Sequence, residues 1–256
     1  MPACLVNPNG NARGGTPPAR KETFNQRTLW KNEHDALNGW KAILEALGIL
    51  VFQILDVSVQ EMRGFSIPEI PYPTIALNRS DSPLGRIFTL VHELCHIMLK
   101  QGGICTSTTE DEPHFKIERF CNAVAGALLV PKNELIHADI ITNHGFNPSW
   151  SDRELIALKK KFWASQEVIL RRLLEMNKTT KEFYRLKREA VQNLPLKSEG
   201  GPERVYERVL RTHSRSFINI LLTAMREGQI TLVDVSYYLD MSLKHLPGLE
   251  QKFAGG

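Results

Sequence analysis

The run His92-Glu93-Leu94-Cys95-His96 restricts this chain more than any other stretch of it. Two imidazoles four residues apart stack one turn above each other on a helix, so both can reach one ion, and Glu93 beside the first can sit near a water on that ion. The flanks read as a helix. Ser82-Pro83 forms an N-cap followed by proline at the first helical position, and Ile87, Leu90, Val91, Leu94 and Met98 repeat every three or four residues. A helix is expected over Pro83–Lys100, ended by Gly102-Gly103. Zinc suits such a donor set, because it accepts tetrahedral geometry and keeps one position open for water in catalytic sites. A carboxylate such as Glu93 can take a proton from that water as it attacks a peptide carbonyl.

A catalytic ion needs a third protein ligand. The metzincin extension would place Gly at position 99 and His at position 102, where this chain has Leu99 and Gly102. Glu118 is the better candidate. It lies on the next expected helix, His114–Val130, which Pro131 closes, and Asn122 one turn later is spaced to orient a ligand by hydrogen bonding. Glu110, Asp111, Glu112 and His114 compete from the polar stretch before that helix.

Upstream, Thr28–Leu47 carries apolar residues at helical spacing and Gly48 follows as a stop. Three β-rich segments come next, Ile49–Val59, Met62–Ile67 and Thr74–Leu77, and the Pro-rich Pro68–Pro73 belongs to no central strand. A small sheet is expected. Downstream, Asp152–Trp163, Ser165–Met176 and Lys181–Gln192 read as helices, Leu194–Pro202 as a linker, and Glu203–Ala254 as two or three short helices. The organisation expected is a disordered leader over 1–22, a metal-binding α+β domain over 23–148, a basic helical segment over 149–194 and a helical region over 195–256.

In 256 residues, 42% of them hydrophobic and 23% charged, no apolar run approaches the length needed to span a bilayer. A membrane-spanning protein is excluded on this reading. Four cysteines, Cys4, Cys95, Cys105 and Cys121, are too sparse for a disulfide scaffold and form no Cys-x-x-Cys pair, which fits a reducing, cytoplasmic compartment.

Ile75-Ala76-Leu77-Asn78, Arg86 through His96, and Glu118 through Asn122 to Leu128-Leu129-Val130-Pro131 together resemble the ImmA/IrrE family of metallo-endopeptidases. The resemblance covers about Trp40 to Leu174. It implies a zincin-like minimal peptidase domain, a small β-sheet plus active-site helices, followed by helical elements. It also implies one zinc ion on His92, His96 and Glu118, a gluzincin-like set, with Glu93 as catalytic base. The substrate it implies is a helix-turn-helix transcriptional repressor, cleaved to induce genes of a phage, a mobile element or a stress response. Two positions depart from the family pattern. Cys95 stands where Gly is usual, and Lys100 where a His is often found. Cys95 reads either as a small core residue or as a thiol near the metal that makes activity redox-sensitive.

The net charge of +4 is local in origin, because Arg153 to Arg188 holds eleven Lys or Arg against four Glu. Such a run is usually a solvated helix face. Some members of the resembled family carry a helix-turn-helix-like region after the peptidase domain, so Trp163–Gln166 is the candidate turn and Ser165–Leu174 the candidate recognition helix. Lys159, Lys160, Lys161, Arg171 and Arg172 are then the candidate contacts to DNA or to the repressor substrate. The competing reading of the whole chain is a DNA-binding regulator or toxin–antitoxin component with a non-catalytic metal site.

Overall fold

Asn32 opens the first helix by accepting hydrogen bonds from the backbone N–H of His34 and Asp35, both at 2.9 Å. The helix expected from Thr28 therefore starts at Glu33, and α1 runs Glu33–Ala46. The computed structural model describes residues 30–100, 103–104, 112–192 and 203–254. The expected leader over 1–22, the linker Leu194–Pro202, and the competing ligands Glu110 and Asp111 lie outside the described residues.

The sheet has four strands, β1 (Leu50–Ile54), β2 (Gly64–Ile67), β3 (Thr74–Asn78) and β4 (Gly103–Ile104), in the order β1-β3-β2-β4. β1 and β3 are parallel, with Leu50 opposite Thr74, whereas β2 is antiparallel to both β3 and β4. The first strand ends well before the expected Val59, since Asp56 adopts the left-handed conformation at φ 63° and breaks the extended run. β4 corrects the reading of Gly102-Gly103 as a helix stop alone: Gly103 pairs with Ser66 and Ile104 with Phe65. Two residues are too few to show the alternation by which a strand is recognised.

Helix α2 (Pro83–Met98) lies against β2 and β3 and against α1. Ser82 caps it, its hydroxyl accepting from Gly85 N–H at 3.1 Å, with Pro83 in the first turn as expected. It stops at Met98, two residues early, and Lys100 follows in the left-handed region at φ 53°. α3 (Glu112–Leu129) packs along α2, and its buried Cys121, Ala125 and Leu129 make the contact face.

After short helices α4 (Lys132–Ile136) and α5 (Asp139–His144) come α6 (Asp152–Phe162), α7 (Gln166–Glu175) and α8 (Lys181–Gln192). A Ser151–Glu154 capping box starts α6, and Trp163 turns the chain at φ 49°. Leu155, Leu158 and Phe162 of α6 and Val168, Ile169, Leu170 and Leu173 of α7 share one core with α1, α2, α3 and the sheet.

The remainder forms α9 (Val205–Thr212), α10 (Arg215–Arg226), α11 (Leu232–Tyr238), a 3-10 turn Leu243–His245 and α12 (Leu246–Ala254), four helices where two or three were expected. A polar turn separates each pair, and segments of seven to twelve residues are too short to count securely from periodicity. They surround a second core of Val209, Ile218, Leu222, Val235, Leu239 and Leu249. Side chains tie this unit to the sheet and to α1: Gln53 Nε2 and Lys41 Nζ both donate to Arg211 O, at 2.8 and 3.1 Å. The architecture is α+β, a minimal sheet with helices packed on it followed by helical elements. Among the described residues no helix is long and apolar enough to cross a membrane.

Candidate metal centre

Packing on the sheet and on α1 fixes the orientation of the polar residues of α2. Leu84, Ile87, Leu90 and Val91 are buried against the sheet and α1, which leaves His92 and His96 one turn apart toward α3. Both imidazoles are nearly inaccessible, at 2% and 6% exposure.

Glu118 reaches them from α3. Its Oε2 lies 3.2 Å from His92 Nε2, its Oε1 lies 3.1 Å from His96 Nε2, and the two Nε2 atoms are 3.0 Å apart. Donors about 2.0–2.1 Å from a tetrahedral ion stand about 3.4 Å from one another, so this triangle needs only a small expansion to hold one. Two imidazoles and a carboxylate make an N2O set, three of the four donors that a tetrahedral ion takes. Burial alone would raise the Glu118 pKa, but hydrogen bonds to both imidazoles and their charge outweigh it and hold the carboxyl well below its usual range. The acid is a ready anion.

Glu93 is fully buried beside this triangle. Burial pushes its carboxyl up, opposed by a hydrogen bond from Ser66 and by the imidazoles of His92 and His96. Ser66 Oγ donates to Oε2 at 2.7 Å, while Oε1 is buried without a hydrogen-bond partner among the described residues. The strand can deliver that hydroxyl because it runs close to the helix at Gly64. A Cβ there would stand 2.6 Å from Thr89 Cγ2 and 2.8 Å from Ala76 O. Gly64 and Ser66 share the inward face of β2. Sequence reasoning missed Ser66, although a serine on the buried face of a strand is a polar group in need of a partner.

Asn122 lines a cavity of about 380 Å³ next to His92, and among the described residues it is hydrogen-bonded to none of the three clustered side chains. Cys95 and Cys121 are both buried, one on each helix. Burial and the neighbouring Cys95 thiol together raise the Cys121 pKa strongly.

The basic residues of α6 and α7 divide. Lys159 pairs with Glu33 at 3.2 Å, and Arg172 donates to Val130 O at 3.0 Å and pairs with Glu175. Lys160 and Lys161 are exposed. Arg171 lines the same cavity as His92 and Asn122, together with Arg188, the last residue of the basic run, and Arg63, which the sequence did not bring to notice.

None of the curated proteins matches this chain. Residues 44–174 match the family described as IrrE N-terminal-like domain, Peptidase_M78, a span that begins on α1, contains the sheet and the whole triad, and ends on α7. With half of its length in that match, and the fold and three clustered donors inside it, the chain belongs to the IrrE N-terminal-like peptidase family.

Proposed function

We propose that this metallopeptidase is a zinc-dependent endopeptidase with His92, His96 and Glu118 as ligands and Glu93 as general base, acting on a helix-turn-helix repressor. The observation that carries the reading is the convergence of three donors from two helices beside a buried carboxylate with one oxygen unpartnered among the described residues. Bound there, zinc would supply a Lewis acid that activates water at neutral pH and polarises the scissile carbonyl.

The rest of the work falls to the chain. Glu93 Oε1 takes a proton from the attacking water and passes it to the leaving amine. Ser66 holds the other oxygen, so the carboxylate does not rotate between the two steps. Low solvent exposure around Glu93 and the two histidines strengthens each of these interactions.

The regulator reading, in which the metal site is silent, is supported less well. It relies on α6 and α7 as a free helix-turn-helix, yet their apolar faces belong to the peptidase core, and Lys159 and Arg172 are engaged within the chain. The test is to incubate the zinc-loaded protein with candidate helix-turn-helix repressors from the same genome and to read intact mass. Two fragments are expected, abolished by a chelator and restored by zinc. An uncut repressor under those conditions contradicts the proposal.

A further inference from the structure

The cavity beside His92 has a charge imbalance that the proton-transfer chemistry does not use. Its wall carries Arg63, Arg171 and Arg188, with Glu167 as its carboxylate. Arg63 stands 3.6 Å from Asp81, and Arg188 Nε stands 3.2 Å from Glu167 Oε1. Arg171 is different. Half-buried on α7 one turn after Glu167, it has no acidic partner among the described residues.

A guanidinium drawn partly out of water without a counter-ion is unfavourable, and it is the side chain best shaped to bind a carboxylate through two parallel hydrogen bonds. The first turn of α7 adds to the effect, because Ser165, Glu167 and Val168 also line the cavity and bring the positive end of a ten-residue helix to it. Phe88 and Val168 supply apolar wall for a short methylene stem. The cavity adjoins His92, so a polypeptide with a side chain held in it can also pass His92, His96 and Glu118.

We propose that this cavity is a specificity pocket for an acidic side chain, Asp or Glu, of the substrate polypeptide, with Arg171 as the residue that selects it. The proposal rests on the peptidase reading above and adds to it a preference at one position near the cleaved bond.

The test uses the full-length zinc-loaded protein and a peptide library prepared from a whole proteome, with the residues around each new terminus read by mass spectrometry. Where peptides are cut, an acidic residue should be favoured over its amide about tenfold or more at one position. The preference should vanish in Arg171→Gln and in Arg171→Met, the second keeping the apolar stem in case the first fails to fold. It should survive in Lys244→Gln, which removes one charge from an exposed site in the C-terminal region. No acidic preference in the parent, or one that both Arg171 variants retain, overturns the proposal.

A binding arm separates failure of the pocket from failure of the peptidase reading. The same library is passed over immobilised Glu93→Gln protein with and without Arg171→Gln. Retention of acidic peptides that depends on Arg171 supports the pocket even if the parent cuts nothing, and equal retention overturns it. Arg171-dependent binding of inorganic phosphate without Arg171-dependent retention of acidic peptides also overturns it, since the site would then serve a free anion.

Discussion

Ser66 Oγ stands 2.7 Å from Glu93 Oε2, a hydrogen bond between a strand and the metal-site helix that leaves the other carboxylate oxygen unpartnered among the described residues. On the proposed mechanism this contact holds one carboxylate oxygen and leaves the other to work on water. Ser66→Ala should therefore slow turnover while zinc binding is unchanged. A hydrogen bond to a charged group contributes about 1.5–3 kcal/mol, so a fall in kcat of roughly 10- to 100-fold is expected. Zinc stoichiometry and kcat measured on one preparation check it, and an unchanged kcat would remove Ser66 from the mechanism.

Glu118→Gln should act on the other side of the site. It keeps the shape of the side chain and removes the anion that the two imidazoles stabilise. Zinc affinity should drop by more than about 100-fold, since loss of even an outer partner of a ligand typically costs 10- to 100-fold. Competition with a chromogenic chelator measures this directly. Full affinity in the variant would point to a ligand elsewhere.

Cys95 and Cys121 are expected to behave as core residues. Both are buried, and the Cys121 thiol is pushed up by burial and by the thiol of Cys95, so little thiolate is present at neutral pH. Iodoacetamide at pH 7.5 should leave both unmodified in the folded protein and label both in denaturant. Rapid labelling of either in the folded state would contradict the packing described here.

Lys41 gives a pH dependence whose sign is fixed. Burial lowers its pKa from 10.5 to about 8, so between those values the unfolded chain binds more protons than the folded one. Stability contributed at this site is therefore lowest below about pH 8 and rises as pH increases toward 10.5. The full difference corresponds to about 3 kcal/mol. Urea unfolding of the parent and of Lys41→Met should show the variant's relative advantage shrinking by up to that amount between pH 7 and 10. A difference independent of pH would show that the ammonium is not buried as described.

Much of the site was legible because it lies on helices. His92, Glu93 and His96 are bound by a spacing that only a helix makes meaningful, and Ser82-Pro83 marked its start within the chain. Glu118 could be ranked from its place on the following helix, since two packed helices present side chains to each other along their lengths. Ser66 and Arg171 were harder for one physical reason: each reaches the site through tertiary packing across long sequence separation. Ser66 reaches it because Gly64 admits β2 against α2, and Arg171 because α7 closes over α3. Arg171 is a candidate contact to DNA or substrate on the strength of its charge run, a signal that does not distinguish a solvated face from the wall of a cavity. β4 escaped because two residues carry no periodicity.

The central claim is that Glu93 works on water beside a metal held by its neighbours, and Glu93→Gln isolates it. The parent and variant should be loaded with zinc, quantified for metal, and given the same repressor. Equal zinc content with cleavage by the parent alone is the expected result. Cleavage at the parental rate by fully loaded Glu93→Gln protein would contradict the account.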